Sequence, residues 1–157
     1  MPDVDISAKT DYALRAMASI AEAAGLGSGP VSVDELARQQ DLPRKFLEAI
    51  VADLRRAGLL ESHRGPYGGY TLARPADRIG LGDVFRAVDG PLAEVRGLRP
   101  HETTYEGAAS ALPAVYVAVR VALRQVLDDT TVADLVSGQL PAHVIELVAA
   151  PGAWENR

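Results

Sequence analysis

The chain contains no cysteine. That absence excludes disulfides, thiolate metal ligands and a cysteine nucleophile together. No run is expected to reach the roughly 18 apolar residues that cross a bilayer. The opening Met1-Pro2-Asp3-Val4-Asp5 is acidic where a signal peptide is basic, so a soluble, cytoplasmic protein without a membrane partner is expected. A Gly-rich phosphate loop, a Ser-His-acid arrangement and regular metal-ligand spacing are also missing, and no enzyme is expected.

Positive charge is scarce overall: the formal net charge is −5. This argues against a nucleic-acid partner until the charge is resolved by segment. Residues 1–41 carry three basic and seven acidic side chains, and residues 75–157 seven and eleven. Residues 42–74 reverse the balance, with six basic (Arg44, Lys45, Arg55, Arg56, Arg64, Arg74) against Glu48, Asp53 and Glu61. One short block holds the positive charge.

What is present is mostly helical patterning. Apolar residues from Ala8 to Ala24 recur at three- and four-residue steps, with Ser7 as a cap and Gly25 as a stop. Ser32-Val33-Asp34-Glu35 reads as a capping box opening a short helix through Gln39. Pro43 suits the first turn of the next helix, whose buried face is read as Phe46, Leu47, Ile50, Val51 and Leu54, with Gly58 beyond it. Two helices on a short turn form either a helix-turn-helix or an ordinary helical hairpin. The next segment bears on the choice: Leu59–Arg64 and Tyr70–Ala73 read as strands around Gly65-Pro66-Tyr67-Gly68-Gly69, a wing.

A further helix is expected over Leu81–Val88, ended by Asp89-Gly90-Pro91, then a polar loop from Leu92 to Gly107. From Ala108 to Leu127 the positions Ala108, Leu112, Val115, Val119, Ala122 and Val126 form a coiled-coil-like seam. Val115, Val117, Val119 and Val121 also alternate as in a strand, but the long alanine-rich run after Pro113 favours helix. Only Arg120, Arg124 and Gln125 interrupt its apolar character, so a dimer interface through Leu112, Val115, Val119, Ala122 and Val126 is expected. Thr131 caps one more short helix, and the tail from Gln139 shows no sustained pattern. The fold class is mainly α with a small β-hairpin wing. Residues 1–90 form the winged helix-turn-helix domain, 91–107 an effector or linker loop, 108–138 the dimerisation helix with its short follower, and 139–157 the tail.

The second helix of the pair offers Arg44, Lys45, Glu48, Ala49 and Arg55 opposite its apolar face, either as a solvated surface or as a reader of base edges and phosphates. Arg64, at the base of the glycine-rich turn, suits the negative potential of a narrow minor groove. Glu94, His101, Glu102 and Glu106 lack a ligand spacing, and a solvated loop is the better reading of them.

Ser7-Ala8-Lys9-Thr10-Asp11-Tyr12-Ala13-Leu14-Arg15-Ala16, Phe46-Leu47-Glu48, Leu54-Arg55-Arg56-Ala57-Gly58-Leu59 and above all Arg64-Gly65-Pro66-Tyr67-Gly68-Gly69-Tyr70 resemble the Rrf2 family of IscR-, NsrR- and CymR-like bacterial regulators. The resemblance covers about residues 5–90 with specific motifs and the long helix more loosely. It implies a homodimeric repressor with two heads on crossed long helices, binding a partly palindromic double-stranded operator. The DNA-binding set it suggests is Lys9, Tyr12, Ser32, Arg44, Lys45, Glu48, Arg55, Arg64, Gly65, Pro66, Tyr67 and Gly68. Lys45 and Glu48 would face bases and Arg64 the minor groove, while Ala49 departs from the polar residue of the IscR type. Many members hold an iron–sulfur cluster on three cysteines in the loop before the dimer helix. Residues 92–105 here have none, so the chain resembles a cluster-free branch with no such cofactor. Arg96, Arg99 and His101 are left as candidates for holding a small-molecule effector, and a protein effector is the alternative. The rival reading of the whole chain is a winged-helix interaction module that has lost DNA binding.

Overall fold

Ser7 caps the first helix, α1 (Ala8–Gly25), by accepting from the Thr10 amide at 3.1 Å. The computed structural model describes residues 5–156. Along α1 the positions at three- and four-residue steps, Ala13, Ala16, Met17 and Ile20, are buried as the spacing predicts. Ser32 then opens α2 (Val33–Gln40), and a left-handed Asp41 followed by Pro43 leads into α3 (Arg44–Arg56).

Two local expectations need correction. The capping box at Ser32 is half formed: Ser32 Oγ accepts from Glu35 N at 3.1 Å, but the Glu35 carboxylate turns to Arg38 and Gln39. A guanidinium offering two parallel bonds outweighs one backbone amide. On α3 the buried stripe is Leu47, Ile50, Val51 and Leu54, each no more than 1% exposed, whereas Phe46 is 61% exposed. At 3.6 residues per turn Phe46 lies about 100° around the helix from Leu47, outside the stripe its neighbours define. Each buried member of that stripe contributes about 1.5–3 kcal/mol by leaving water.

The wing is an antiparallel hairpin of β1 (Leu60–His63) and β2 (Gly69–Leu72), with Leu60 opposite Leu72 and His63 opposite Gly69. Val31 lies on the open side of β2 and exchanges backbone bonds with Tyr70 at 3.0 and 2.8 Å. This fastens the hairpin to the residue just before the α2 cap. Gly69 makes the approach possible: its φ is 146°, and a Cβ there would stand 2.5 Å from the Val31 carbonyl carbon.

After a 3-10 turn at Ala76–Arg78, α4 (Leu81–Asp89) packs on α1 and α3. Its last residue, Asp89, accepts from the Ser7 and Thr10 hydroxyls, tying the two helices end to end. The loop read as polar and poorly patterned contains a tight reversal at Val95–Leu98 and a 3-10 turn at Pro100–Glu102 that packs on α5 (Leu112–Leu127). α5 is a helix, which settles its ambiguous periodicity, but it starts four residues later than expected, after a separate 3-10 turn at Gly107–Ala109. Pro113 lies in its first turn, where the missing amide costs no bond.

α6 (Val132–Ser137) carries a complete capping box between Thr131 and Asp134. Its Val132 is fully buried in the core of the head, and the helix packs on α1. The segment thus leaves the head along α5 and returns to it. The return is secured by Arg86 of α4, which makes two 2.8 Å bonds to Asp128 at the end of α5. Bonding to Asp128 and the nearby Asp83 hold the Arg86 guanidinium's pKa above its ordinary value. Gly82 leaves room for this pair, since a Cβ at that position would collide with the Asp128 carboxylate. The tail also departs from expectation, forming α7 (Ala142–Val148), with the Trp154 indole donating to Val148 O at 2.8 Å.

No residue of α5 is buried, although Val115 and Val119 are about half exposed apolar side chains on it. Residues 107–127 are in fact long and apolar enough, by length and composition, to cross a membrane, which corrects the expectation that no run would be. Arg120 and Arg124 interrupt the run.

Candidate nucleic-acid interface

The face of α3 opposite its buried stripe holds Lys45, Ala49, Ala52 and Arg56, by the helical repeat, flanked by Arg44, Glu48 and Arg55 on one side and Phe46 on the other. Alanines at the centre of that face let the helix backbone approach a groove closely, with methyl groups suited to thymine methyls. Phe46 and Arg56 were missed by sequence reasoning. Phe46 was hidden because its i, i+4 relation to Ile50 also fits a buried position.

The basic residues divide into committed and free groups. Arg44 pairs with Asp34 at 3.1 Å and Glu48 at 3.2 Å, Arg56 with Asp53, and Arg74 with Asp83 at 3.8 Å. Lys45, Arg55 and Arg64 form no ion pair among the described residues and are exposed. Because the Arg44 pairs are themselves exposed, they hold it weakly and leave it recruitable by phosphate.

Lys9, grouped with these by sequence, has a different place. Its ammonium donates to Asp53 on α3 at 2.6 Å, fixing α3 against α1. That bond, with a smaller one from Arg56, holds the Asp53 carboxyl's pKa below its ordinary range against the opposing effect of burial. A depressed carboxylate pKa stabilises the fold above the unfolded value, about 3.9, and the gain disappears as pH falls through the folded value. Lys9→Met is expected to lower stability by about 0.5–1 kcal/mol at neutral pH. In urea titrations repeated from pH 7 to pH 2, the gap between the two proteins should close below about pH 4; a gap independent of pH contradicts the assignment.

Tyr12 is half-buried beside the core, with Arg15 5.8 Å from its ring centroid, and Ser32 is occupied as the α2 cap. At the wing tip Gly68 N donates to Gly65 O at 3.0 Å, closing a turn with Pro66 and Tyr67 at its corners. Tyr67 is 91% exposed there. His63 is engaged within the hairpin, its Nε2 2.8 Å from Thr71 Oγ1. Free cations on one helix face, a wing beside them and a capped helix in front form the layout of a winged helix-turn-helix.

A family model described as Rrf2, iron-dependent transcriptional regulator, matches residues 6–138. The chain belongs to the Rrf2 family. A chain of Mycobacterium tuberculosis named as an HTH-type transcriptional regulator, Rv1287, is 47% identical over 152 residues, covering 96% of this chain and 92% of its own. CymR of Bacillus subtilis is 38% identical over 132 residues, covering 84% and 89%. The solved structure of B. subtilis CymR, titled as the global cysteine regulator, superposes with a TM-score of 0.73 at 36% identity over 87% of this chain and 99% of that one. That of T. potens IscR gives 0.67 at 31% identity over 91% and 96%. This Rrf2 protein is a transcriptional regulator of winged-helix fold.

The iron named in the family description meets an unsuitable donor set here. The chain has no thiolate to offer, and among the described residues no three His, Asp or Glu side chains converge. Of the loop residues considered as effector ligands, Arg99 and His101 line one cavity with Arg120 and Arg124, while Arg96 stands outside it, at φ 52° in the exposed Val95–Leu98 turn.

Proposed function

We propose that this regulator is a homodimeric, sequence-specific repressor that binds a partly palindromic operator without a cysteine-held cluster. The observation that carries the reading is that Lys45, Arg55 and Arg64, exposed cations with no acidic partner among the described residues, all lie on α3 and the wing of an otherwise acidic chain. α3 enters the major groove with Lys45 toward base edges, and Arg64 with the Pro66-Tyr67 tip follows the flanking minor groove. The homodimer accounts for α5, whose exposed Val115 and Val119 need cover that one copy does not supply. An apolar groove of about 560 Å³ beside α5, lined by Ile6, Phe85, Leu92, Val119, Ala122 and Val126, gives a second α5 a seat. A soluble, cytoplasmic location fits that pairing and a DNA operator as partner.

Selecting bound fragments from the source organism's genomic DNA tests the proposal. Recovered sequences should share two half-sites about 34–36 Å, or a multiple of one helical turn, apart. Lys45→Ala should weaken the selected site by about 1–3 kcal/mol and random DNA much less. Equal losses on both would demote Lys45 to a phosphate contact. The net charge of −5 is the one observation that favours an interaction module without DNA binding; an empty selection would support it.

A further inference from the structure

A second concentration of positive charge lies away from α3 and the wing. A cavity of about 430 Å³ opens between the end of α4, the loop that follows it and α5, lined by Arg86, Arg99, His101, Arg120 and Arg124 and by no carboxylate. Its size suits a small metabolite. Asp128 neutralises Arg86 through two bonds. No carboxylate pairs with the side chains of Arg99, Arg120 or Arg124 among the described residues. Arg120 Nη1 donates to His101 Nδ1 at 2.9 Å, and its Nε is buried with no partner. An arginine only donates, so Nδ1 accepts, and a neutral imidazole then carries its proton on Nε2 as a further donor.

Three uncompensated guanidinium groups around one concavity repel each other, and in a chain of net charge −5 nothing in the general composition requires them. An unsatisfied buried Nε adds to the cost. An entering anion offsets the mutual repulsion, because guanidinium forks match carboxylate and phosphate oxygens in pairs. We propose that this cavity binds a small, multiply anionic metabolite, one carrying two or more carboxylate or phosphate groups, through Arg99, Arg120 and Arg124 with His101 orienting Arg120. The claim concerns ligand binding and stands independently of the operator reading.

Calorimetric titration of the full chain with citrate and with pyrophosphate, at ionic strength held constant with potassium chloride, tests it and separates the two anion chemistries. Saturable binding of at least one probe is expected, one per chain, with Kd below about 1 mM. The double variant Arg120→Gln/Arg124→Gln should weaken it about tenfold or more. Arg99→Gln alters an exposed side chain that makes no bond of its own among the described residues. It should weaken binding severalfold while circular dichroism stays unchanged, and Arg78→Gln, an equal charge change elsewhere, should leave binding intact. Absence of saturable binding by either probe, or equal binding by wild type and the folded Arg99→Gln and double variants, overturns the proposal.

Discussion

Val119→Asp is expected to produce a monomer whose affinity for the operator is lower by about a hundredfold or more. Val119 is 49% exposed on a helix with no buried residue, and it also lines the apolar groove between α4 and α5. A carboxylate placed between two such helices must be stripped of water without a partner, a cost large enough to separate them. The head should remain folded, because its core of Met17, Ile20, Leu36, Leu47, Ile50 and Leu54 does not include Val119. Once separated, each head binds one half-site alone and the gain from joint binding is lost. Sedimentation equilibrium and anisotropy titration on the same sample read both effects. A variant that stays dimeric removes α5 as the interface; a monomer of undiminished affinity removes the two-headed mode of binding.

Arg64→Ala is the second large effect, expected to weaken operator binding by about 1–3 kcal/mol, or roughly fivefold to over a hundredfold. The guanidinium stands exposed at the base of the wing with no ion pair among the described residues, so its removal strands no carboxylate and leaves the core packing intact. The loss should be greatest where A·T pairs flank each half-site, since a narrow minor groove concentrates negative potential. Replacing those flanks with G·C should cost the wild type affinity and the variant almost none. Equal sensitivity of both proteins to the flanks would place Arg64 outside the minor groove.

Local chemistry makes much of the head legible from the residues alone. Ser7, Ser32 and Thr131 cap the helices they precede because a hydroxyl three residues before a free amide needs no tertiary context. The wing was readable for a similar reason, with Gly65-Pro66-Tyr67-Gly68-Gly69 dictating a turn between two short apolar-edged strands. Reading failed where two partners competed or where distant segments met. Glu35 preferred Arg38 to the Ser32 amide, and Phe46 shared a helical spacing with Ile50 while facing solvent. Lys9 carries the charge of a DNA contact, yet its partner Asp53 lies on another helix and emerges only once α1 and α3 pack. α7 was missed because its seven residues after Pro141 span under two turns, too few to display a helical period. The cavity was half visible: Arg99 and His101 stood out in the loop, and Arg120 and Arg124 as interruptions of an apolar helix. Nothing in their spacing showed that the four converge, because the loop reverses at Val95–Leu98 before packing on α5.

The central claim is that a small basic face on an acidic chain reads a specific DNA sequence, and one comparison tests it most directly. The wild-type protein is titrated at physiological salt against a fragment recovered by genomic selection and against random DNA of the same length. The account predicts affinity for the selected fragment about a thousandfold or more above that for random DNA, with both falling as salt rises. Equal affinity for the two, or no binding to either at low salt, would contradict it.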